Sequence, residues 1–258
     1  MNLISIGTDR KIFEEDSAVR QRIAEYGKIF GEMHIVVFST RIMNHESRIK
    51  ISENIFAYPT NSKNKFFYIF DAFKIGKALS SKLKALNSVI STQDPFETGL
   101  VGLGLKLFCK LPLQVQIHTD FANRHFIFHS LLNFFRFPIG LFVLSFADSV
   151  RVVSERVAKS VHSLAHNISV LPIYTEHKSQ VTSRKSQVED KITFLTVARL
   201  EKEKDIDTAI RAFKKVLDKI DVEDPEQSRR TEFVIVGDGS ERRSLEFLAK
   251  SLKLEDRD

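Results

Sequence analysis

Ile192 to Phe213 reads Ile-Thr-Phe-Leu-Thr-Val-Ala-Arg-Leu-Glu-Lys-Glu-Lys-Asp-Ile-Asp-Thr-Ala-Ile-Arg-Ala-Phe, and it carries the clearest fold signal of the chain. Its first six residues are β-branched or apolar without helical spacing, which predicts a buried strand of a parallel sheet. After a charged turn, apolar residues recur at the spacing of one helix face. The stretch therefore predicts a strand, a turn and a helix of an open α/β sheet.

Two cations in this turn are candidates for binding an anion. Arg199 leaves the predicted strand and Lys204 precedes the helix, at the sheet edge where ligands of open α/β sheets bind. A guanidinium fork and an ammonium suit a diphosphate, which has several oxygens and two charges to satisfy. The turn also holds Glu201, Glu203 and Asp205. On spacing alone, a set of solvated surface charges remains the alternative.

Length and composition indicate a globular chain with more than one core. The 258 residues favour two domains, and 43% hydrophobic with 28% charged residues is typical of a soluble protein. Cys109 is the single cysteine, so the chain has no internal disulfide and fits a reducing cytoplasm. The net charge of +6 favours an acidic partner, which by charge alone is nucleic acid, anionic lipid or a nucleotide diphosphate.

The string from Val197 to Asp205 resembles the donor-diphosphate motif of the retaining family 4 glycosyltransferases, which have the GT-B fold. In that family, an Arg and the Lys of a Glu-Lys-Gly triplet bind the diphosphate of a nucleotide sugar. The resemblance implies this role for Arg199 and Lys204, with Asp205 standing where glycine is usual. Phe233 to Gly239 is similar to the next strand and Gly-rich turn of the family, and it places Gly237 among the substrate-binding residues.

The loop after the first predicted strand is a further candidate. Leu3 to Ile6 ends at Gly7, where the missing side chain permits close approach of a ligand. The resemblance implies that this loop lies near the donor phosphates and the acceptor, although the chain lacks the Gly-Gly pair of many members. A purely structural glycine is the alternative.

His118 follows the predicted strand Leu113 to Ile117. A histidine at the end of such a strand can donate a hydrogen bond to a sugar hydroxyl or help to move a proton. The alternative is a loop histidine beside Asp120, which would cap the next helix. The resemblance implies that His118 is the catalytic residue that contacts the donor sugar and that Asp120 is its neighbour in the substrate site.

Three other stretches carry structural predictions. Asp94, Pro95 and Glu97 have the spacing of a helix cap, which we prefer to a catalytic role. Phe126 to Ala147 predicts a core helix, with an apolar acceptor groove or a membrane-facing patch as alternatives. The polar stretch from Asp221 to Thr231 predicts a mobile loop.

These observations predict an α/β fold of two Rossmann-like domains, the GT-B arrangement. Residues 1–174 form the acceptor-side domain, 175–190 a polar linker, and 191–258 part of the nucleotide-sugar-binding domain. The family's Glu-x7-Glu motif would lie beyond Asp258, so the sequence suggests a fragment that shows little turnover alone.

The implied function is transfer of a sugar, with retention, from a nucleoside-diphosphate sugar to a glycan or lipid-linked acceptor of the cell envelope. We expect no metal and no cofactor other than this donor substrate. We also expect no nucleic-acid partner, a cytoplasmic location, and peripheral contact with the inner face of a membrane as an alternative. A non-catalytic scaffold with a partial GT-B fold is the rival function. A nicotinamide enzyme is disfavoured because no Gly-x-Gly-x-x-Gly follows the first strand.

Overall fold

The computed structural model describes residues 1–40, 47–83, 87–172 and 192–254. The chain divides into two compact units, Met1–Glu176 and His177–Asp258. The predicted linker, residues 175–190, lies outside the described residues. The two units are described separately below.

The first unit is built on one mostly parallel sheet, as the α/β prediction requires. Its strands are β1 (Asn2–Gly7), β2 (Met33–Val37), β3 (Ile49–Ser52), β4 (Ile55–Pro59), β5 (Ser88–Thr92), β6 (Leu113–Ile117), β7 (Ser149–Val152) and β8 (Ile168–Val170). Their order is β3-β4-β2-β1-β5-β6-β7-β8, and all neighbours are parallel except β3 and β4. Strands β2 to β4 therefore lie on one side of β1, and strands β5 to β8 lie on the other. The carboxyl ends of β1 and β5 form the topological switch point.

Helices bury both faces of this sheet to different extents. They are α1 (Ala18–Tyr26), α2 (Tyr68–Leu83), α3 (Glu97–Cys109), α4 (Arg124–His129), α5 (Leu131–Ser145) and α6 (Glu155–Val161). Successive side chains of β1 point to opposite faces of the sheet, so this strand contributes to two core clusters. Ile4 and Ile6 lie in the larger cluster with residues of α2, α3, α5 and α6, whereas Leu3 lies in the smaller one. Val19 and Ile23 of α1 pack against that smaller cluster.

Two features of the first unit differ from the sequence predictions. The antiparallel edge strand β3 was not predicted, although its four residues, Ile-Lys-Ile-Ser, alternate apolar and polar side chains. The predicted single helix from Phe126 to Ala147 is two helices, and Ser130 separates them by accepting a hydrogen bond from the Asn133 N–H at 3.1 Å. The interpretation as a core helix holds for only one side of α5: Val143 and Leu144 lie in the larger core cluster, whereas Phe135 and other residues of the opposite side are exposed.

In the second unit, β9 (Ile192–Val197) pairs in parallel with β10 (Thr231–Val236). Helices α7 (Ile206–Glu223) and α8 (Pro225–Arg229) lie between these strands in the sequence, and α9 (Arg242–Ser251) follows β10. Its core contains Leu200, Ile206, Ile210 and Leu245. The prediction of a strand was correct, but the prediction that it is buried was wrong, as Leu195 is 63% exposed. Within the described part of this unit, β9 has one strand neighbour, so much of its surface meets solvent.

The predicted mobile loop from Asp221 to Thr231 is also wrong, because most of it is helical. Helix α7 continues to Glu223, and α8 starts at once at Pro225. The Asp224 carboxylate accepts hydrogen bonds from two backbone N–H groups of α8, each at 3.1 Å. An Asp before a Pro is a strong helix start, and this local signal outweighs the polar composition.

Candidate functional site

The turn after β9 holds the two cations that the sequence singled out. Arg199 lies two residues after the end of the strand, and Lys204 ends a short 3₁₀ turn before α7. Both residues are exposed. One guanidinium N–H of Arg199 donates to Glu203 Oε1 at 2.6 Å. The turn therefore presents two cations to solvent, one of them held in place by a neighbouring carboxylate.

Asp205 explains how this turn forms without the usual glycine. Its backbone is left-handed, with φ 52° and ψ 40°. Glycine adopts this conformation most easily, and aspartate is among the few other residues that tolerate it. The Asp205 carboxylate accepts a hydrogen bond from Thr208 Oγ1 at 3.0 Å. The substitution therefore preserves the turn conformation.

The Gly-rich turn after β10 packs directly on the turn after β9. The Leu200 N–H donates to the Asp238 carbonyl at 2.9 Å, and Ser240 Oγ donates to the Glu201 carboxylate at 2.8 Å. A Cβ on Gly237 would lie 1.8 Å from the Ala198 carbonyl oxygen. Gly237 is therefore required by the close approach of the two turns, and its role in substrate binding stays a prediction.

Gly7 lies at the switch point of the first unit, where it faces a glutamine that the sequence analysis did not identify. The Thr8 N–H donates to Gln93 Oε1 at 2.8 Å. The same oxygen would be 2.9 Å from a Cβ on Gly7, so the glycine makes room for this contact. Gln93 directly follows β5, and that position next to the switch point is the signal that could have found it.

His118 follows β6 and is exposed, with an unusual electrostatic environment. Partial burial of the imidazole and the charge of Arg151 lower the pKa of His118 below its ordinary value. The neutral imidazole is therefore favoured near neutral pH, and it can both donate and accept a hydrogen bond. This state suits contact with a sugar hydroxyl.

Arg151 of β7 was missed by the sequence analysis, and it ends a row of polar side chains across three strands. Its Nη1 donates to Gln116 Oε1 at 3.2 Å, and Gln116 Nε2 donates to Ser91 Oγ at 3.0 Å. Arg151 Nε is buried and has no hydrogen-bond partner among the described residues. The alternation of β7, with Val150 and Val152 buried, places Arg151 on the opposite face from the larger core.

Asp120 does not cap the next helix, because α4 begins only at Arg124. Its Oδ2 lies 3.6 Å from Arg156 Nε. Its Oδ1 is buried and has no hydrogen-bond partner within the part of the chain that the structure describes. Asp120 therefore carries one paired oxygen and one unsatisfied oxygen, two residues after His118.

The predicted cap at Asp94 is wrong in detail. Helix α3 begins at Glu97, and the residue before it makes no side-chain cap bond. The Asp94 carboxylate instead accepts from the Phe96 N–H at 2.7 Å, closing a local turn. Burial raises the pKa of Asp94. Glu97 pairs with Arg136 of α5 at 2.9 Å, so it ties two helices together.

The described residues were also compared with the requirements of a metal centre. Over residues 1–40, 47–83, 87–172 and 192–254, no three His, Cys, Asp or Glu side chains are placed to hold a metal ion. His162 and His166, which are four residues apart, are both exposed surface residues.

Comparison with protein families matches residues 179–257 to the model described as Glycosyl transferases group 1. This match contains the turn with Arg199 and Lys204 and the Gly-rich turn. No curated protein matches the chain. The family match is confined to the second unit.

Three solved structures are similar to this chain in fold. Sucrose-phosphate synthase from Thermosynechococcus elongatus has a TM-score of 0.65 at 18% identity, covering 100% of this chain and 69% of that chain. The E. coli structure described as trehalose-6-phosphate bound with UDP-2-fluoro glucose has a TM-score of 0.63 at 14% identity, with 98% and 70% covered. An α,α-trehalose-phosphate synthase (UDP-forming) from Burkholderia vietnamiensis has a TM-score of 0.57 at 11% identity, with 98% and 69% covered. The predicted α/β GT-B architecture is confirmed.

Proposed function

We propose that the protein is a retaining, family 4-like hexosyltransferase that moves a sugar from a nucleoside-diphosphate donor to a glycan or lipid-linked acceptor. The observation that carries the proposal is the turn after β9, where Arg199 and Lys204 are both exposed inside the segment that matches the glycosyltransferase family. Supporting it, two of the similar structures are described with a uridine diphosphate sugar analogue or as UDP-forming.

The proposed chemistry is electrostatic stabilisation of the leaving group. When the anomeric bond breaks, negative charge develops on the departing diphosphate. Arg199 supplies a planar fork of donors and Lys204 a compact charge, so together they stabilise this charge without a metal ion.

His118 is proposed as the catalytic residue of the first unit. Its lowered pKa keeps the imidazole neutral, so it orients a sugar hydroxyl by hydrogen bonding without adding positive charge. Asp120 is proposed as its neighbour, with Gly7 at the adjacent switch point. The unsatisfied Asp120 oxygen supports this assignment, since a sugar hydroxyl would supply the missing donor.

The proposed setting is cell-envelope glycan synthesis in the cytoplasm, at the inner face of a membrane when the acceptor is lipid-linked. The donor is a nucleotide sugar, no cofactor is required, and nucleic acid is not a partner. The basic net charge of +6 supports binding of anionic substrates in general.

Transferase assays with a panel of nucleoside-diphosphate sugars test the proposal. Arg199→Ala and Lys204→Ala are each expected to lower kcat/KM by at least about 100-fold, the scale of removing one transition-state donor. Lys202→Ala is the matched control, because Lys202 is an exposed cation of the same 3₁₀ turn. Near-normal kcat/KM in both Arg199→Ala and Lys204→Ala would refute the assigned role.

A further inference from the structure

Arg10 is held in a fixed orientation at the carboxyl edge of the first sheet. It begins a 3₁₀ turn (Arg10–Phe13) shortly after the end of β1. Its Nε donates to the Phe38 carbonyl at 3.1 Å, and its Nη2 donates to the Tyr68 hydroxyl at 2.7 Å. The residue as a whole is exposed. Two contacts therefore orient the guanidinium of Arg10, while the residue stays accessible to a ligand.

Both groups that hold Arg10 belong to the core of the first unit. Phe38 and Tyr68 are buried members of the larger core cluster, and their ring centroids lie 5.4 Å apart. The Phe38 N–H donates to the Gly7 carbonyl at 3.0 Å, which fixes Phe38 beside the end of β1. Because buried contacts already position the guanidinium, a ligand that binds it does not have to order a free side chain.

The positive charge of Arg10 is not neutralised by an ion pair. Its two acceptors, a carbonyl and a phenol, are uncharged. The carboxylate of Asp9 accepts instead from the Lys11 N–H at 3.1 Å and starts the 3₁₀ turn. Within the described part of the chain, Arg10 has no carboxylate partner, whereas Arg136 donates to the Glu97 carboxylate. Arg10 therefore offers its full charge to an anion.

Several hydrogen-bond donors at this place have no partner. An arginine carries five N–H donors, and Arg10 uses two of them, so three remain, among them both donors of Nη1. The Tyr68 hydroxyl accepts from Arg10, and its own proton has no acceptor among the residues that the structure describes. Free donors beside one positive charge suit a phosphate group, which presents more oxygens than a carboxylate.

A neutral donor lies at the same end of β1. The Thr8 N–H, two residues before Arg10, donates to Gln93 Oε1 at 2.8 Å. This contact identifies which end of the amide is the nitrogen, and Gln93 Nε2 has no hydrogen-bond partner in the described ranges. A cation and an amide near the switch point match a sugar phosphate, which carries hydroxyl groups beside its charged group.

We propose that Arg10 and Tyr68 bind a phosphate group of the acceptor and that Gln93 binds a hydroxyl of the same molecule. The inference rests on the proposed function and narrows its acceptor to one that carries phosphate. The phosphate belongs either to a sugar monophosphate or to the diphosphate of a lipid-linked glycan. A neutral glycan is disfavoured because it would not use the charge of Arg10, and a uronate because its two oxygens use fewer of the donors.

Calorimetric titration of the full chain tests this phosphate site. An Arg199→Ala/Lys204→Ala background removes the anion site proposed for the second unit. In this background, glucose 6-phosphate should bind at least about tenfold more tightly than glucose or glucuronate, because only the phosphate satisfies the charge and the free donors. Arg10→Gln should abolish that preference, Arg10→Lys should retain part of it, and Tyr68→Phe should weaken binding by about two- to tenfold.

Lys11→Gln is the matched control, because Lys11 is the next residue and an exposed cation. It should change the affinity for glucose 6-phosphate by less than about twofold, since general attraction to an exposed charge is weak. Equal losses from Arg10→Gln and Lys11→Gln would overturn the proposal, as would binding of glucose or glucuronate as tight as that of glucose 6-phosphate.

Geranyl diphosphate separates the two sources of the phosphate. Tighter binding of geranyl diphosphate than of glucose 6-phosphate, lost in Arg10→Gln, supports a phosphate site for a lipid-linked acceptor. The reverse order, again lost in Arg10→Gln, supports a phosphate site for a free sugar phosphate. Binding of both ligands that is unchanged in Arg10→Gln would overturn the proposal.

The Nε–H of Arg10 supplies a readout that a structural role alone would not change. Its hydrogen bond to the buried Phe38 carbonyl protects the proton, so nitrogen-15 labelling of arginine should give an NMR signal that is absent from Arg10→Gln. Glucose 6-phosphate should shift this signal. Binding that leaves the signal in place would show that the ligand lies elsewhere and would overturn the proposal.

The failure of this inference and the failure of the proposed function are distinguishable. Sugar transfer to a neutral glycan at a rate that Arg10→Gln leaves unchanged would refute the phosphate site alone. Binding of glucose 6-phosphate that depends on Arg10, in a chain that transfers sugar from no donor, would refute the proposed function alone.

Discussion

The ion pair between Arg199 and Glu203 makes the proposed diphosphate site testable by a gain of affinity. In the structure, Glu203 occupies one of the guanidinium donors that a diphosphate would use. Glu203→Gln removes this competing charge and leaves a side chain of the same size. We therefore expect the variant to bind inorganic diphosphate and UDP more tightly than the unmodified chain.

The size of the gain follows from the exposure of the pair. The side chains are 70% and 44% exposed, so solvent screens their attraction. Exposed ion pairs contribute about 0.2–1 kcal/mol, and returning that free energy to the ligand tightens binding by roughly 1.5- to fivefold. Arg199→Ala instead removes charge-assisted hydrogen bonds of about 1.5–3 kcal/mol, so it should weaken binding by at least about tenfold.

Isothermal titration calorimetry at constant salt measures these changes. Lys204→Ala should weaken diphosphate binding about as much as Arg199→Ala. Lys202→Ala is the control, and it should change the affinity by less than about twofold, because general attraction to an exposed cation is weak.

Two results would refute the reasoning. Equal losses from Lys202→Ala and Lys204→Ala would show that the turn attracts anions only through its overall charge. Weaker binding of diphosphate by Glu203→Gln would show that Glu203 positions Arg199 for the ligand and does not compete with it.

Three further predictions concern the turns and the histidine environment. Gly237→Ala should destabilise the chain by about 1–3 kcal/mol in urea unfolding, because its Cβ would overlap the Ala198 carbonyl; an unchanged midpoint would contradict this. In the same assay, the Asp205→Gly variant should be about 1 kcal/mol more stable than the Asp205→Ala variant, because alanine is strained at φ 52°. A more stable Asp205→Ala variant would exclude that strain. Arg151→Met should raise the pKa of His118 in an NMR titration, whereas Arg151→Lys keeps the charge and should not; equal values would exclude the charge effect.

The lowered pKa of His118 also determines in which direction the free energy of unfolding changes with pH. The unfolded chain binds this proton more readily than the folded chain. The contribution of His118 to stability is therefore unaffected at high pH and becomes unfavourable as the pH falls below the ordinary histidine pKa. His118→Gln should remove this part of the acid sensitivity in urea unfolding measured across that range.

Local sequence signals were sufficient to predict which segments form strands and helices, but not which parts of the protein cover them. The strand at Leu113 to Ile117 was predicted with the bounds that the structure has, because alternation and flanking residues determine it locally. The same reasoning identified β9 as a strand and predicted its burial wrongly. Burial depends on which elements cover a strand, and no residue of the strand encodes that.

Helix α5 shows the same limit more strongly. Its residues are apolar nearly all round, a pattern typical of a core helix. Only the packing of α3 against one side, fixed by the Arg136 to Glu97 pair, decided which residues remain exposed. Gln93 and Arg151 were missed for the same reason, since their positions depend on neighbouring strands far apart in the sequence.

The α/β class, most of the strands and the cation-bearing turn could be predicted from the amino-acid sequence, because hydrophobic periodicity and turn chemistry act over a few residues. Only the tertiary structure decided that a side chain at position 237 would collide with the Ala198 carbonyl, that burial and the charge of Arg151 lower the pKa of His118, and that α5 exposes aromatic rings to solvent. Each of these depends on contacts between segments distant in the chain, which sequence spacing does not reveal.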